Sequence, residues 1–170
     1  LKAFASEGGA IIASFASGMN AEQDKFTLPL LGVGLAKGNA PEMRGKVFER
    51  GDYCEYLRPV ELKTNGIVDT EYVMYTKGMP VRAKKGTTVL ADGHASVFNR
   101  TYEHFCSHRQ SPSSGKKSTP AIVQNGIVQN GKAIYFAHPI FTQYRQNGPG
   151  WCKGLFLNAL ERALPQPLVK

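Results

Sequence analysis

Two short apolar runs, one near each end of the chain, constrain the fold more than any other feature. Residues 10–15 (AIIASF) follow the pair Gly8-Gly9, and residues 132–137 (KAIYFA) stop two positions before Pro139. Short apolar runs bounded by glycine or proline are typical of strands that are buried on both faces of a parallel sheet. The sequence therefore predicts two core strands, one close to each end of the chain.

Helical patterns accompany both predicted strands. Residues 1–7 resemble the last turns of a helix, and Gly8 ends it because glycine readily takes the left-handed conformation there. Residues 150–164 predict a terminal helix with leucines spaced three and four positions apart on one face. Strands joined to helices at both ends indicate an α/β layer fold. Because the chain opens at the end of a helix, we interpret it as the C-terminal part of a longer polypeptide, without its first βα units.

The middle of the chain has short β-prone runs separated by glycines and prolines. These predicted strands are residues 71–75, 81–84 and 87–91. The pair Asn125-Gly126 predicts a tight hairpin turn, and residues 111–119, rich in Ser, Pro, Gly and Lys, predict an exposed loop. We interpret residues 1–170 as a single domain with a β-rich insertion at about residues 45–119.

Composition excludes several classes of function. A chain of 170 residues, 42% hydrophobic and 20% charged, suits one globular domain. Its net charge of +8 is dispersed and accompanies no nucleic-acid reading motif, so we predict no nucleic-acid partner. No apolar run approaches the roughly 20 residues of a membrane helix, so we predict no membrane partner. Three cysteines without CxxC spacing indicate neither a disulfide scaffold nor a zinc ribbon, and they leave the compartment open.

Residues 99–108 (NRTYEHFCSH) contain the densest group of reactive side chains. His104, Cys106 and His108 alternate, so on a strand they would share one face, and zinc accepts two imidazoles and a thiolate. The segment from Glu103 to His108 is therefore one alternative, the site of a metal- or thiol-dependent enzyme. Against it, no matching set of ligands and no strand-to-helix elbow around a cysteine occurs elsewhere. We predict no metal, no cofactor and no catalytic residue in this chain.

The candidate contact residues in this stretch are Arg100, Tyr102, His104 and His108. Their side chains are of the types that stack on or hydrogen-bond sugars, and they suit a protein interface equally well. Glycoside hydrolysis itself needs two carboxylates held roughly 5–9.5 Å apart. The acids of this chain are scattered and form no recognisable acid/base motif. Both a sugar and a protein neighbour remain open for these residues.

Several segments resemble the β-galactosidase trimerisation domain, a flavodoxin-like module related in fold to class I glutamine amidotransferases. The resemblance rests on segment order: residues 1–12 with their glycine pair, then Ser17-Gly18, then residues 30–33, and residues 131–141 near the other end. Residues 99–105 also resemble a stretch found in glycoside hydrolases of β-galactosidase type.

The resemblance implies a flavodoxin-like, amidotransferase-like layered fold. It also implies a parent enzyme of carbohydrate metabolism in which a (β/α)₈ barrel carries the catalytic carboxylates. This chain would then be a non-catalytic domain that packs on the barrel of the same polypeptide, helps to assemble a homo-oligomer and lends sugar contacts. A stand-alone carbohydrate-binding module is the remaining alternative.

Overall fold

A six-stranded sheet lies at the centre of the molecule. The computed structural model describes residues 1–36, 54–100, 102–108, 110–125 and 132–165. In spatial order the strands are β1 (Ala10–Ser14), β8 (Lys132–Phe136), β7 (Ser113–Asn125), β6 (Thr87–Ser96), β3 (Glu55–Pro59) and β4 (Tyr72–Met74). β1 and β8 are parallel, and the other neighbouring pairs of this sheet are antiparallel.

Three helices and a small second sheet complete the described structure. The helices are α1 (Lys2–Ser6), α2 (Ile140–Asn147) and α3 (Gly150–Ala163). β2 (Val33–Leu35) and β5 (Val81–Ala83) pair in the antiparallel sense, and a single 3₁₀ turn, Pro29–Leu31, precedes β2. Within the described residues, no helix is both long enough and apolar enough to cross a membrane.

The central sheet has an apolar core on each face, which follows from the alternation of side chains along its strands. In β8, Ile134 and Phe136 belong to the core that α2 and α3 cover. Ala133 and Tyr135 point to the opposite face, where they pack with side chains of the 3₁₀ turn, β2 and β5. The arrangement is a three-layer α/β unit in which a small sheet covers one face in place of helices.

The structure confirms a mixed α/β domain, but the domain is rich in strands. The predicted elements near both ends are present as α1, β1, β8 and α3. A flavodoxin-like layering is not confirmed, because β1 and β8 are the one parallel pair among the described strands. β3, β4 and β6, which fall in the predicted insertion, join the same sheet as β1 and β8.

Two local predictions differ from the structure. The predicted loop at residues 111–119 is wrong, because β7 runs through most of it and pairs with β6 through several register shifts. α2 is an element that the sequence analysis missed. The predicted turn at Asn125-Gly126 extends into residues 126–131, which lie outside the described residues. The predicted insertion starts at about residue 45, within residues 37–53, which also lie outside the described residues.

The two edges of the central sheet differ. At the β4 edge, the Gln143 side chain of α2 acts as a strand would: its Nε2 donates to Val73 O (3.2 Å) and its Oε1 accepts from Tyr75 N (2.9 Å). β1 forms the opposite edge, and among the described strands it pairs with β8 alone. One edge is thus closed by a side chain, whereas the backbone groups on the outer side of β1 have no strand partner among the described residues.

Candidate functional site

Residues 97–112, which we call the contact loop, connect β6 to β7 and contain all of the predicted contact residues. The loop is closed at its neck, because Val97 N donates to Pro112 O at 2.9 Å. Ser111, which is buried, closes it a second time: its hydroxyl donates to Phe98 O at 2.5 Å. The loop therefore leaves the sheet as a defined projection.

The tip of the contact loop presents aromatic side chains to solvent. Tyr102 is 102% exposed and Phe105 is 66% exposed. The Arg100 guanidinium carbon lies 4.8 Å from the centre of the Phe105 ring, which is a cation–π distance. Two large aromatic side chains exposed on one short loop are typical of a surface that another molecule covers.

The structure places the four predicted contact residues differently. Arg100 stacks on Phe105, and the His104 ring lies 6.2 Å from that of Phe98. Tyr102 stands clear of the chain, and the carbonyl of His108 faces the Cys106 thiol at 3.4 Å. Phe98 and Phe105, which the sequence analysis did not select, are therefore part of the same surface.

The Cys106 thiol of the contact loop faces backbone carbonyl oxygens. No group of three or more His, Cys, Asp or Glu side chains is arranged to hold a metal ion within the part of the chain that the structure describes. Cys106 Sγ lies 3.4 Å from His108 O and 3.5 Å from Gln110 O. A catalytic thiol needs a neighbouring base, and neither carbonyl oxygen is one.

β3 holds the root of the contact loop from below. The Tyr56 hydroxyl donates to Ser111 O at 2.8 Å, and Cys54 Sγ lies 3.7 Å from the same oxygen. Burial, with smaller effects of the nearby Cys54 and Glu71, raises the pKa of Tyr56 to about 12. The phenol consequently keeps the proton that it donates to the loop throughout the neutral range.

A second polar contact joins the two strands just beneath the loop. The Glu71 carboxylate hydrogen-bonds His94 Nδ1 of β6 and the Ser113 hydroxyl of β7. Burial by itself would raise the pKa of Glu71, but these two hydrogen bonds lower it overall. Glu71 thus remains an anion that ties β6 to β7 where the loop begins and ends.

A buried carboxylate–imidazole pair lies elsewhere in the core. Glu55 Oε2 accepts hydrogen bonds from His138 Nε2 (3.0 Å) and from Gly78 N (2.9 Å). Burial alone would raise the pKa of Glu55, yet the hydrogen bond and charge of His138 bring it below its ordinary value. His138 is only 2% exposed, so the pair joins three distant segments and is closed to a substrate. The sequence analysis missed it because 83 positions separate the partners.

The more buried carboxylates among the described residues pair with basic side chains and not with each other. The more buried ones are bound to other groups: Glu55 to His138, Glu71 to His94, and Asp92 to Lys117. Glu22 and Asp24 both accept from Asn20 Nδ2, at 2.6 and 2.7 Å, on a surface turn. Their positions match no buried acid facing a nucleophile across a cleft.

Taken together, the fold and this loop define a strand-rich α/β domain with a projecting aromatic contact surface. Over 97% of its length the chain is similar to α-L-fucosidase isoenzyme 2 from Paenibacillus thiaminolyticus, with 31% identity and a TM-score of 0.75. The chain spans 22% of the length of that enzyme. This likeness supports the predicted association with glycoside hydrolases, while a β-galactosidase trimerisation domain is not confirmed.

A second solved structure has a similar fold at much lower identity. It is a cytoplasmic protein from Salmonella typhimurium, 16% identical with a TM-score of 0.55, and the similarity covers 95% of this chain and 58% of that protein. At this identity the likeness concerns the fold alone. No protein-family model and no curated protein matches the sequence.

Proposed function

We propose that this chain is a non-catalytic domain of a glycoside hydrolase. The observation that carries the proposal is the match of 97% of the chain to 22% of an α-L-fucosidase at 31% identity. The catalytic acids of the parent protein then belong to a barrel domain elsewhere in the same polypeptide. We further propose an α-L-fucoside as its substrate, with a β-galactoside as the alternative that the sequence resemblance implies.

Hydrolysis by the full-length protein that contains this chain tests the proposal. The substrates are an aryl α-L-fucoside and an aryl β-galactoside, and the variant is Glu22→Gln with Asp24→Asn, which removes both carboxylates that share Asn20. We expect hydrolysis of one substrate and unchanged kcat in the variant, because these acids take no part in the chemistry. A full-length protein that hydrolyses no glycoside, or a variant that loses its activity while remaining folded, would contradict the proposal.

We also propose that the contact loop packs against the catalytic domain of the parent and lends it sugar contacts. The exposed Tyr102 and Phe105 and the stacked Arg100 are the supporting observations. Tyrosine and arginine are the residue types most often found to dominate binding energy at interfaces. In this proposal Tyr102, Arg100, His104 and His108 touch the neighbour.

Replacing one exposed tyrosine in the full-length protein tests the loop, with Tyr144→Ala as the matched control. Tyr144 is exposed like Tyr102 but lies on α2. A sugar contact predicts that Tyr102→Ala raises KM, whereas a purely protein contact predicts a lower melting temperature for the catalytic domain with KM unchanged. If Tyr102→Ala behaves like Tyr144→Ala in both measurements, the loop has no such contact.

Assembly of a homo-oligomer is part of the same proposal. It is supported by aromatic side chains that stay exposed on this domain, Tyr102 and Phe105 on the loop and Phe141 on α2. Exposed apolar patches are typical of protein interfaces. Light scattering of the full-length protein across a concentration series should give a constant mass above that of the monomer. A strictly monomeric full-length protein would refute the assembly.

We propose finally that the parent polypeptide continues the sheet beyond β1 with further βα units, which would give a flavodoxin-like layer. The outer edge of β1, which has no strand partner among the described residues, supports this, because an apolar edge strand without charge or proline is normally covered. An experimental structure of the full-length protein should contain a strand from upstream of residue 1 parallel to β1. An uncovered β1 in that structure would refute this extension.

A further inference from the structure

The neck of the contact loop contains a hydrogen-bonded chain that ends on a single phenol of β3. The Ser111 hydroxyl donates to Phe98 O at 2.5 Å, and the carbonyl of the same residue accepts from the Tyr56 hydroxyl at 2.8 Å. Ser111 is 1% exposed, so water does not replace either contact. The position of one buried residue is consequently fixed from two sides, by the loop and by the sheet.

The neighbouring contacts support this neck from β3. Ser96 Oγ donates to Cys54 O at 2.9 Å, and Cys54 Sγ lies 3.7 Å from Ser111 O. Tyr56 itself is opposite His94 in the β3–β6 register, so its backbone belongs to the central sheet. In contrast, Tyr102 at the tip of the loop is fully exposed. Ser111 thus connects the hydrogen-bonded neck of the contact loop to its exposed tip.

We propose that Tyr56 is a positioning residue for the contact loop: through Ser111 its hydroxyl sets where Arg100, Tyr102 and His104 stand relative to the sheet. The proposal rests on the contact function proposed above for the loop, and it adds the group that orients that surface. Tyr56 never touches the neighbour in this account. It acts because an interface that depends on a few aromatic side chains requires those side chains to be held in place before binding.

The loss of the phenolic hydroxyl isolates this effect. Tyr56→Phe keeps the ring and removes the donor, and Tyr72→Phe is the matched control, since the Tyr72 hydroxyl accepts from Val68 N at 2.9 Å away from the loop. In the full-length protein, hydrogen exchange of residues 97–112 should accelerate about threefold to tenfold in Tyr56→Phe, the range expected for one lost hydrogen bond. Tyr72→Phe should leave exchange in these residues unchanged.

A double-variant cycle with Tyr102→Ala separates positioning from a general loss of stability. If Tyr56 acts through the loop, Tyr56→Phe changes KM or the melting temperature in the parent background and has a smaller effect on the same quantity once Tyr102 is already Ala, because only Arg100 and His104 are then left to position. Unchanged exchange at residues 97–112 in Tyr56→Phe overturns the positioning role, whatever Tyr102→Ala does. If exchange accelerates but Tyr102→Ala alters neither KM nor stability, the positioning role stands and the proposed contact function is the part that fails.

Discussion

Removing His138 should destabilise the protein strongly, because it leaves a carboxylate buried without its main partner. In the native structure Glu55 accepts from His138 Nε2 at 3.0 Å and from Gly78 N at 2.9 Å. In His138→Ala only the bond from Gly78 N remains. Removing the partner of a buried carboxylate costs about 3–5 kcal/mol, because the remaining charge is left uncompensated. We expect a decrease of that order in the free energy of unfolding at neutral pH, measured by urea denaturation.

The pH dependence of this loss gives the decisive check. The pKa of Glu55 in the folded protein is below its ordinary value of 4.5, so its contribution is present above pH 4.5 and is lost as the pH falls through the lowered value. In His138→Ala, burial acts without the opposing imidazole, so the carboxyl takes up a proton already at higher pH. The difference in the free energy of unfolding between the native protein and His138→Ala should therefore be largest at neutral pH. It should become smaller as the pH decreases through 4.5.

Glu55→Gln combined with His138→Ala is the control for this reasoning. The neutral amide has no charge to leave unpaired, so the second substitution should recover part of the stability lost in His138→Ala at neutral pH. A loss below about 1 kcal/mol in His138→Ala, within the range of ordinary surface substitutions, would refute the reasoning. A loss that stays constant across the acid range would refute it as well.

Three further predictions concern other buried contacts. Asn158→Ala should lower the free energy of unfolding by about 2–4 kcal/mol, since its side chain donates to Leu62 O (3.0 Å) and Thr64 O (2.9 Å) and the contact with Leu62 O is buried; chemical denaturation measures this, and a neutral effect would contradict it. Gln143→Leu should promote association between molecules, because it uncovers the β4 edge. Light scattering measures the particle mass, and an unchanged mass would contradict the role of Gln143 in covering this edge. Cys106→Ser should leave the glycosidase activity of the full-length protein within about twofold of that of the unsubstituted protein, because serine also donates to carbonyl oxygens. A large loss of activity would favour the alternative of a thiol-dependent enzyme site.

The elements that the sequence predicted best are those whose local pattern and tertiary environment agree. β8 is a continuous apolar run that is buried in the sheet, β1 is a similar run that is half-buried at the sheet edge, and α3 carries its apolar residues at helical spacing. β7 was missed because its first half, residues 113–119, consists of Ser, Gly, Lys and a single Thr, and Ser and Gly favour turns. Pairing with β6 makes this segment a strand, and that contact is not visible in the local sequence.

The missed helix and the missed buried pairs have a similar cause. α2 follows Pro139 without a side-chain cap, and its packing depends on Gln143, whose partners lie about 70 positions earlier. Glu55 and His138 are 83 positions apart in the sequence, and only the tertiary fold brings them into contact. By contrast, the residues that the sequence singled out between 99 and 108 lie in one loop between β6 and β7, although Phe98 and Phe105 were not recognised as part of its surface.

The central claim, that the chain is a non-catalytic domain of a glycoside hydrolase, is tested most directly by trapping the nucleophile of the full-length protein. Retaining glycosidases form a covalent glycosyl-enzyme intermediate. Activated 2-fluoro glycosides of fucose or galactose make this intermediate accumulate. Peptide mapping by mass spectrometry then locates the labelled carboxylate. The account predicts a single labelled acid outside the 170 residues of this chain. A label on an acid within them, such as Glu22 or Asp24, would contradict it.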